Sequence, residues 1–133
     1  MRTNILTLCD FAKDYNGQLN IMGTFNQIQS AVFPSNPVSF YIVCQFVIKE
    51  NIIGDHFVNI SAYHKESGDF VVPLTNFKLN VAPDNNNVTP DKFFSTNLIL
   101  NLDKVVFQKP GAYLLKVESD KNTQELEFYV LSK

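Results

Sequence analysis

Residues 109–118 read KPGAYLLKVE. The proline fixes its own φ angle, Gly111 lets the chain turn sharply, and Tyr113 enters a stretch in which apolar and polar residues alternate. This pattern is typical of the penultimate strand of an immunoglobulin-like sandwich, where the tyrosine ring fills the core and its hydroxyl reaches the backbone. The stretch therefore predicts a fold and carries no chemistry of its own.

The same period of two recurs along the chain, and no window has a helical period with capping residues. We predict strands at residues 5–11, 19–25, 38–48, 57–63, 70–72, 77–81, 94–102, 113–117 and 126–130. The pair Asn16-Gly17 predicts a tight hairpin turn between the first two strands, because both residue types accept positive φ. Gly23 predicts a bulge or a close backbone approach in the second strand.

Each predicted strand has one apolar face, which must be buried against another layer. The chain offers no helix that could cross over between parallel strands, so the sheets should be mainly antiparallel. We expect one domain over residues 1–133, an all-β, immunoglobulin-like antiparallel β-sandwich of about eight or nine strands. A closed barrel is the main structural alternative.

The composition supports a sheet protein and excludes several classes of function. The 133 residues include 12 Phe and 5 Tyr but no Trp, and the net charge is −2. The lysines are scattered singly, whereas nucleic-acid binding needs clustered positive charge, so we expect no nucleic-acid partner. No apolar run is long enough to cross a bilayer, so we expect a cytoplasmic protein without a membrane partner.

Two cysteines, Cys9 and Cys44, both lie in apolar strand-like runs. A free cysteine in such a run behaves as a small hydrophobic residue, so we expect reduced, buried thiols. A bridge between the two stays open if their strands are neighbours.

Four short stretches together resemble an uncharacterised family of small bacterial proteins, known as a domain of unknown function. They are CDFA at residues 9–12, GQLNIMGTF at 17–25, the pair Phe33-Pro34 and PGAY at 110–113. The resemblance covers almost the whole chain and implies a bacterial or phage β-sandwich. It brings no catalytic residues with it.

Within these stretches, Asp10 lies among apolar neighbours. We expect its carboxylate to accept backbone N–H bonds at a sheet corner, because a desolvated carboxylate without partners is costly. A role as a ligand-contacting acid is the alternative.

No arrangement of residues in the sequence suggests catalysis or metal binding. His56 and His64 are the two histidines, and a strand between them separates them by about 26 Å at roughly 3.3 Å per residue. Cysteines, histidines and carboxylates show no closely spaced ligand pairs. We therefore expect no enzyme activity, no catalytic residues, no metal and no cofactor.

The outward positions of the strand at residues 38–48 are more apolar than a solvent-facing row normally is. Tyr41, Val43 and Val47 are therefore candidate interface residues for a partner or a second copy. The alternative is that loops or a neighbouring N-terminal strand cover them. The leading hypothesis is a non-enzymatic protein-interaction or accessory module.

The second hypothesis is a small-ligand binder for a nucleotide, a metabolite or a carbohydrate, with its site in the loops at one end of the sandwich. Tyr15, Tyr63 and His64 are the candidate contacts, together with the Asn-rich loop of residues 83–91.

Overall fold

The computed structural model describes residues 1–49, 54–81 and 93–133, and these form an all-β sandwich without a helix. The strands are β1 Arg2–Tyr15, β2 Gln18–Phe25, β3 Gln27–Ser30, β4 Val38–Lys49, β5 Gly54–His64, β6 Phe70–Val81, β7 Phe93–Val105, β8 Gly111–Ser119 and β9 Asn122–Ser132. The predicted fold class is confirmed. The Asn-rich loop of residues 83–91 lies outside the described residues.

Two sheets form the sandwich. One has four strands in the order β2-β1-β4-β7, and the other has five in the order β3-β9-β8-β5-β6. All pairs are antiparallel except β3 with β9, which run parallel. The described part of the chain contains no helix with the length and hydropathy that crossing a bilayer takes.

The core lies between the two sheets and is built from alternate residues, as the sequence predicts. The inward rows of β4, β5 and β8 are all buried: Phe40, Ile42, Cys44, Phe46 and Ile48; Val58, Ile60 and Ala62; Tyr113, Leu115 and Val117. Leu98, Leu100 and Leu102 of β7 also face this core but are only half-buried. The reason is that β7 lies at the edge of its sheet.

The turn that precedes β8 closes one end of this core, which we call the top. The Tyr113 hydroxyl donates to the Lys109 carbonyl at 2.6 Å, so the predicted contact between ring hydroxyl and backbone is present. Phe107, fully buried in the preceding loop, packs edge-on against Tyr113 and Phe128. The Phe107 carbonyl accepts from the Ser35 amide, and the Phe107 amide donates to the Ser35 hydroxyl. These two hydrogen bonds connect the loop before β4 to the loop before β8.

Three local features differ from the sequence prediction. Residues 70–72 and 77–81 belong to one strand, β6, because β6 bulges at Pro73 and Leu74 and its pairing with β5 continues after the register shift. The short strand β3 was not predicted, since four residues carry little periodic signal. Strand β1 runs on to Tyr15, beyond the predicted end at residue 11.

Candidate functional site

The hairpin of β1 and β2 folds back over the outer face of the four-stranded sheet. Asn16 and Gly17 form its two-residue turn with positive φ, as predicted, and the Asp14 side chain accepts from the Gly17 amide at 2.7 Å. Asn97 of β7 donates to Asp14 at 3.0 Å, which places the turn above the outward row of β7. The hairpin therefore acts as a local third layer on this sheet.

A second apolar cluster lies beneath this hairpin. Cys9, Ala12 and Val43 are buried in it, and Leu19, Ile21, Tyr41 and Ile99 pack around them. Val43, one of the three candidate interface residues, is fully buried. An N-terminal strand thus covers this position, which was the alternative left open by the sequence. Tyr41 and Val47 are half-buried.

The apolar surface of this sheet is carried instead by the outer side of the hairpin. Phe11 and Met22 face each other across β1 and β2, and they are 43% and 65% exposed. The Phe11 ring meets the Tyr41 ring edge-on at 5.6 Å. The Phe11 ring thus joins Met22 to the half-buried Tyr41, and we call these three side chains the Met22–Phe11–Tyr41 stripe.

The sequence did not reveal the roles of Phe11 and Met22. Alternation marked residues 5–11 as a strand but could not show which side of the hairpin stays uncovered. The available signal was the Asn-Gly turn, which fixes the register and so places Phe11 opposite Met22.

The three candidate ligand contacts do not come together. Tyr15 is exposed at the end of the hairpin of the four-stranded sheet. Tyr63 and His64 are consecutive on β5 of the other sheet, so their side chains point to opposite faces. Tyr63 is half-buried against Phe70 on the outer face, and His64 is buried.

His64 holds two turns together. Its Nδ1 accepts from the Ser67 amide at 3.2 Å, so the ring proton lies on Nε2, which donates to the Pro110 carbonyl at 3.0 Å. The ring also packs edge-on against Tyr113. A Cβ on Gly111 would lie 2.8 Å from Nε2, so the glycine in the Pro-Gly turn makes room for this imidazole. Both ring nitrogens are therefore engaged by the fold.

An open groove of about 320 Å³ lies at the top end of the four-stranded sheet. Asp10, Thr24, Gln27 and Ser39 supply polar groups, and Ile28 belongs to its apolar lining. Asp10 is exposed, so its carboxylate is solvated. The backbone hydrogen bonds predicted from the sequence rest on burial of this carboxylate, and the structure does not bury it.

Gly23 has a φ of +69° beside this groove, and a Cβ there would overlap the Asp10 carboxylate. The close approach predicted for Gly23 is thus to a side chain.

A second cleft, of about 360 Å³, opens between the sheets where β6 and β7 face each other. Its lining is Ile60, Val72, Thr75, Phe77 and residues 99–102. Most of these side chains are apolar, and the volume falls in the range of small-molecule and peptide side-chain pockets.

The cysteines are free and face different layers. Cys44 points into the core between the sheets, and Cys9 points into the cluster under the hairpin. Cys9 pairs with Tyr41 in the register of β1 and β4, three residues from Cys44, so the two thiols lie on opposite faces of one sheet and do not meet.

Burial also keeps these thiols protonated at neutral pH. It raises the pKa of Cys44 to about 12 and raises that of Cys9 as well. Protonated thiols are poor nucleophiles.

Charged groups are paired on the outer face of the five-stranded sheet. Lys65 contacts Glu127 at 3.1 Å, and the Tyr129 hydroxyl donates to the same carboxylate at 2.7 Å. These two partners lower the pKa of Glu127, the Tyr129 hydroxyl most strongly. Within residues 1–49, 54–81 and 93–133, no three of the His, Cys, Asp and Glu side chains are grouped as metal ligands would be.

Comparison with known proteins gives a family and a fold. The sequence model described as "Family of unknown function (DUF6941)" matches residues 4–131. No curated protein matches the chain.

Among solved structures, a mutant (D270A) β-glucosidase from Listeria innocua in complex with laminaribiose is similar at a TM-score of 0.52 and 11% identity, over 98% of this chain and 16% of that one. The same organism's β-glucosidase in complex with glucose is similar at a TM-score of 0.50 and 11% identity, over 97% of this chain and 15% of that one. The chain thus spans about a sixth of the length of those enzymes, and the similarity at this identity is one of fold.

Proposed function

Because the chain belongs to the family of unknown function DUF6941, we propose its function from its own surface: it is a non-enzymatic protein-interaction module. The observation that carries the proposal is the Met22–Phe11–Tyr41 stripe. Two of its side chains, Phe11 and Met22, are exposed and lie side by side on the β1–β2 hairpin. The other face of this hairpin packs against the sheet through the cluster around Val43.

The chemistry of the stripe suits a protein partner. Aromatic residues and methionine are enriched at the centres of protein interfaces. Burying the exposed fractions of the two side chains, 43% for Phe11 and 65% for Met22, would contribute about 0.6–1.3 and about 1–2 kcal/mol. Exposed polar side chains on the same hairpin, among them Lys13 and Asn20, would form the rim of such an interface.

Three of the described groups that could support enzyme chemistry, His64 and the two thiols, are engaged by the fold. Both ring nitrogens of His64 form hydrogen bonds to the backbone of neighbouring turns, and the thiols of Cys9 and Cys44 are buried and protonated. The similar segments in the Listeria innocua enzymes make up 15–16% of their chains. An accessory role for this fold is consistent with that, as an analogy of fold alone.

The test compares two double variants of the purified protein. Phe11→Ser with Met22→Ser removes the stripe, and Phe57→Ser with Phe70→Ser removes two exposed apolar rings of the other sheet (55% and 61% exposed) as a matched control. Native mass spectrometry measures self-association, and quantitative pull-down from a lysate of the source organism measures partner recovery.

We expect the stripe variant to lose a dimer or a recovered partner by at least tenfold, and the control to keep it. Equal behaviour of the stripe variant and the wild type would overturn the proposal. Loss in the control variant alone would overturn it as well, because the interface would then lie on the other sheet.

Small-ligand binding is the second candidate, and the groove of about 320 Å³ is the observation that favours it. Asp10, Thr24, Gln27 and Ser39 offer acceptors and donors suited to a polar nucleotide, metabolite or carbohydrate. A thermal-shift screen with these ligand classes tests it, because a ligand that binds only the native state raises the melting temperature. The shift should disappear in Asp10→Asn, and a shift that persists in that variant would place the ligand elsewhere.

A further inference from the structure

The four edges of the two sheets differ in how well they are protected against pairing with another chain. Natural sheets protect an edge by keeping it short, by bulging it, or by placing proline or charge on it. Strand β3 has four residues, β2 has eight and carries Gly23 at positive φ, and β6 contains Pro73 beside two register shifts. Each of these three edges therefore has at least one protective feature.

The edge of β7 has none of these features along most of its length. β7 spans 13 residues, and residues 95–102 contain neither a charged residue nor a proline. Its pairing with β4 runs without a register shift from Phe93 to Leu102. In the part of the chain that the structure describes, no strand pairs with the second side of β7. Such a long, regular, uncharged edge is a template for another strand.

The apolar cleft of about 360 Å³ runs along this same edge. Residues 99–102 of β7 line one side of it, and Val72, Thr75 and Phe77 of β6 line the other. Leu100 and Leu102 face the core but are only half-buried. A strand added to β7 would place every second side chain above this cleft.

We propose that the β7 edge binds an extended peptide segment of a partner protein, with apolar residues at alternate positions that fill the cleft. The outward backbone groups of residues 95–102, which have no strand partner among the described residues, supply the hydrogen bonds, and the cleft selects apolar side chains on the inner face of the segment. This site is separate from the Met22–Phe11–Tyr41 stripe, and either can fail without the other.

A second copy of the chain fits the edge less well than a single segment does. Pairing β7 with β7 of another copy would also bring the two β6 edges together. Each of those edges carries the shifted stretch with Pro73 and Leu74, and Leu74 is 62% exposed there. A single extended segment needs room for one backbone only.

The test is a selection of phage-displayed random decapeptides on the purified protein, followed by affinity measurement with the synthetic winning peptide. Asn101→Lys places a charge on the exposed edge, and Thr75→Trp fills the cleft from its exposed side. Gln29→Lys is the matched control, since it adds the same charge to an exposed amide side chain of the β3 edge. Melting temperatures confirm that each variant folds.

We expect the selected peptides to alternate apolar and polar residues. The first two variants should weaken binding at least tenfold, and the control should leave it unchanged. Hydrogen–deuterium exchange on the wild type adds a readout that needs no variant: bound peptide should slow exchange in residues 95–102.

Three results would overturn the proposal. The first is selected peptides without alternation, or no selected peptide at all. The second is binding that depends on Met22 and not on Asn101, which would support the stripe as the interface instead. The third is a dimer in native mass spectrometry that Asn101→Lys dissociates, which would make a second copy the occupant of the edge.

Discussion

Replacing Tyr113 by Phe should remove one hydrogen bond and leave the ring in place. The hydroxyl donates to the Lys109 carbonyl at 2.6 Å, and the ring stacks on Phe128 and meets Phe107 edge-on. A neutral hydrogen bond contributes about 0.5–1.5 kcal/mol, and a carbonyl left without its donor adds to the loss, so we expect about 1–2 kcal/mol. With an unfolding entropy of about 2.1 cal/mol/K per residue over 133 residues, this lowers the melting temperature by about 4–7 °C.

Tyr129→Phe is the matched control, because that hydroxyl lies on an exposed side chain and bonds the exposed carboxylate of Glu127. It should lower the melting temperature by less than about 2 °C. Circular dichroism melts at pH 7 measure both variants. If Tyr113→Phe and Tyr129→Phe lower the melting temperature equally, the bond to Lys109 does not hold the turn, and the reasoning is wrong.

The pH dependence supplies a second readout for Tyr113. Burial raises the pKa of its hydroxyl above the unfolded value, so the folded chain keeps this proton to higher pH than the unfolded chain does. That contribution to stability is complete below about pH 10 and is lost as the pH rises through the folded pKa. The gap in melting temperature between the wild type and Tyr113→Phe should therefore narrow above pH 10.

Three further predictions concern other contacts. Gly111→Ala should lower the free energy of unfolding, measured by urea denaturation, by about 1–3 kcal/mol. The reason is that φ at this position is +132° and the new Cβ would lie 2.8 Å from His64 Nε2. Adding His64→Ala should recover part of the loss. The Tyr129 hydroxyl and the Lys65 ammonium group lower the pKa of Glu127, and the stability that comes from a lowered carboxyl pKa is lost as the pH falls. Glu127→Gln should therefore reduce the fall in melting temperature on acidification below about pH 5. Cys44 should react with a thiol reagent only on unfolding, because it is fully buried and burial raises its pKa to about 12. If Cys44 in the folded protein reacted as fast as an exposed thiol, this prediction would be wrong.

The sheet architecture was predictable because strand periodicity is a local property. Alternation over residues 38–48 fixes which face of β4 is apolar, and the predicted core row is buried from Phe40 to Ile48, with Val38 half-buried at its start. The Pro-Gly turn before Tyr113 is equally local, and both its position and its hydrogen bond agree with the sequence. β6 was divided into two predicted strands because Pro73 interrupts the period, whereas register shifts let the ladder continue around it.

The candidate site depended on long-range packing, which periodicity does not encode. Val43 occupies an outward position of β4, and its burial comes from the β1–β2 hairpin, which precedes it in the chain and bends back over the sheet. His64 was a candidate contact because it ends a strand, but its neighbours Ser67 and Pro110 come from two different turns. In both cases the sequence gives the residue's side of the strand, and the three-dimensional structure decides what covers that side.

The two proposed binding surfaces belong to the same sheet. The outer face of the five-stranded sheet carries ion pairs such as Lys78 with Asp55 and Lys116 with Glu118, and the exposed rings of Phe57 and Phe70 lie among these charges. The four-stranded sheet instead has its outer face covered by its own hairpin, with the stripe at one side and the uncharged β7 edge at the other. A partner that engaged both would have to span this sheet, and Met22→Ser and Asn101→Lys would then each weaken the binding of that same partner. Two separate partners would instead make each variant affect one partner alone, so the two single variants distinguish the two arrangements.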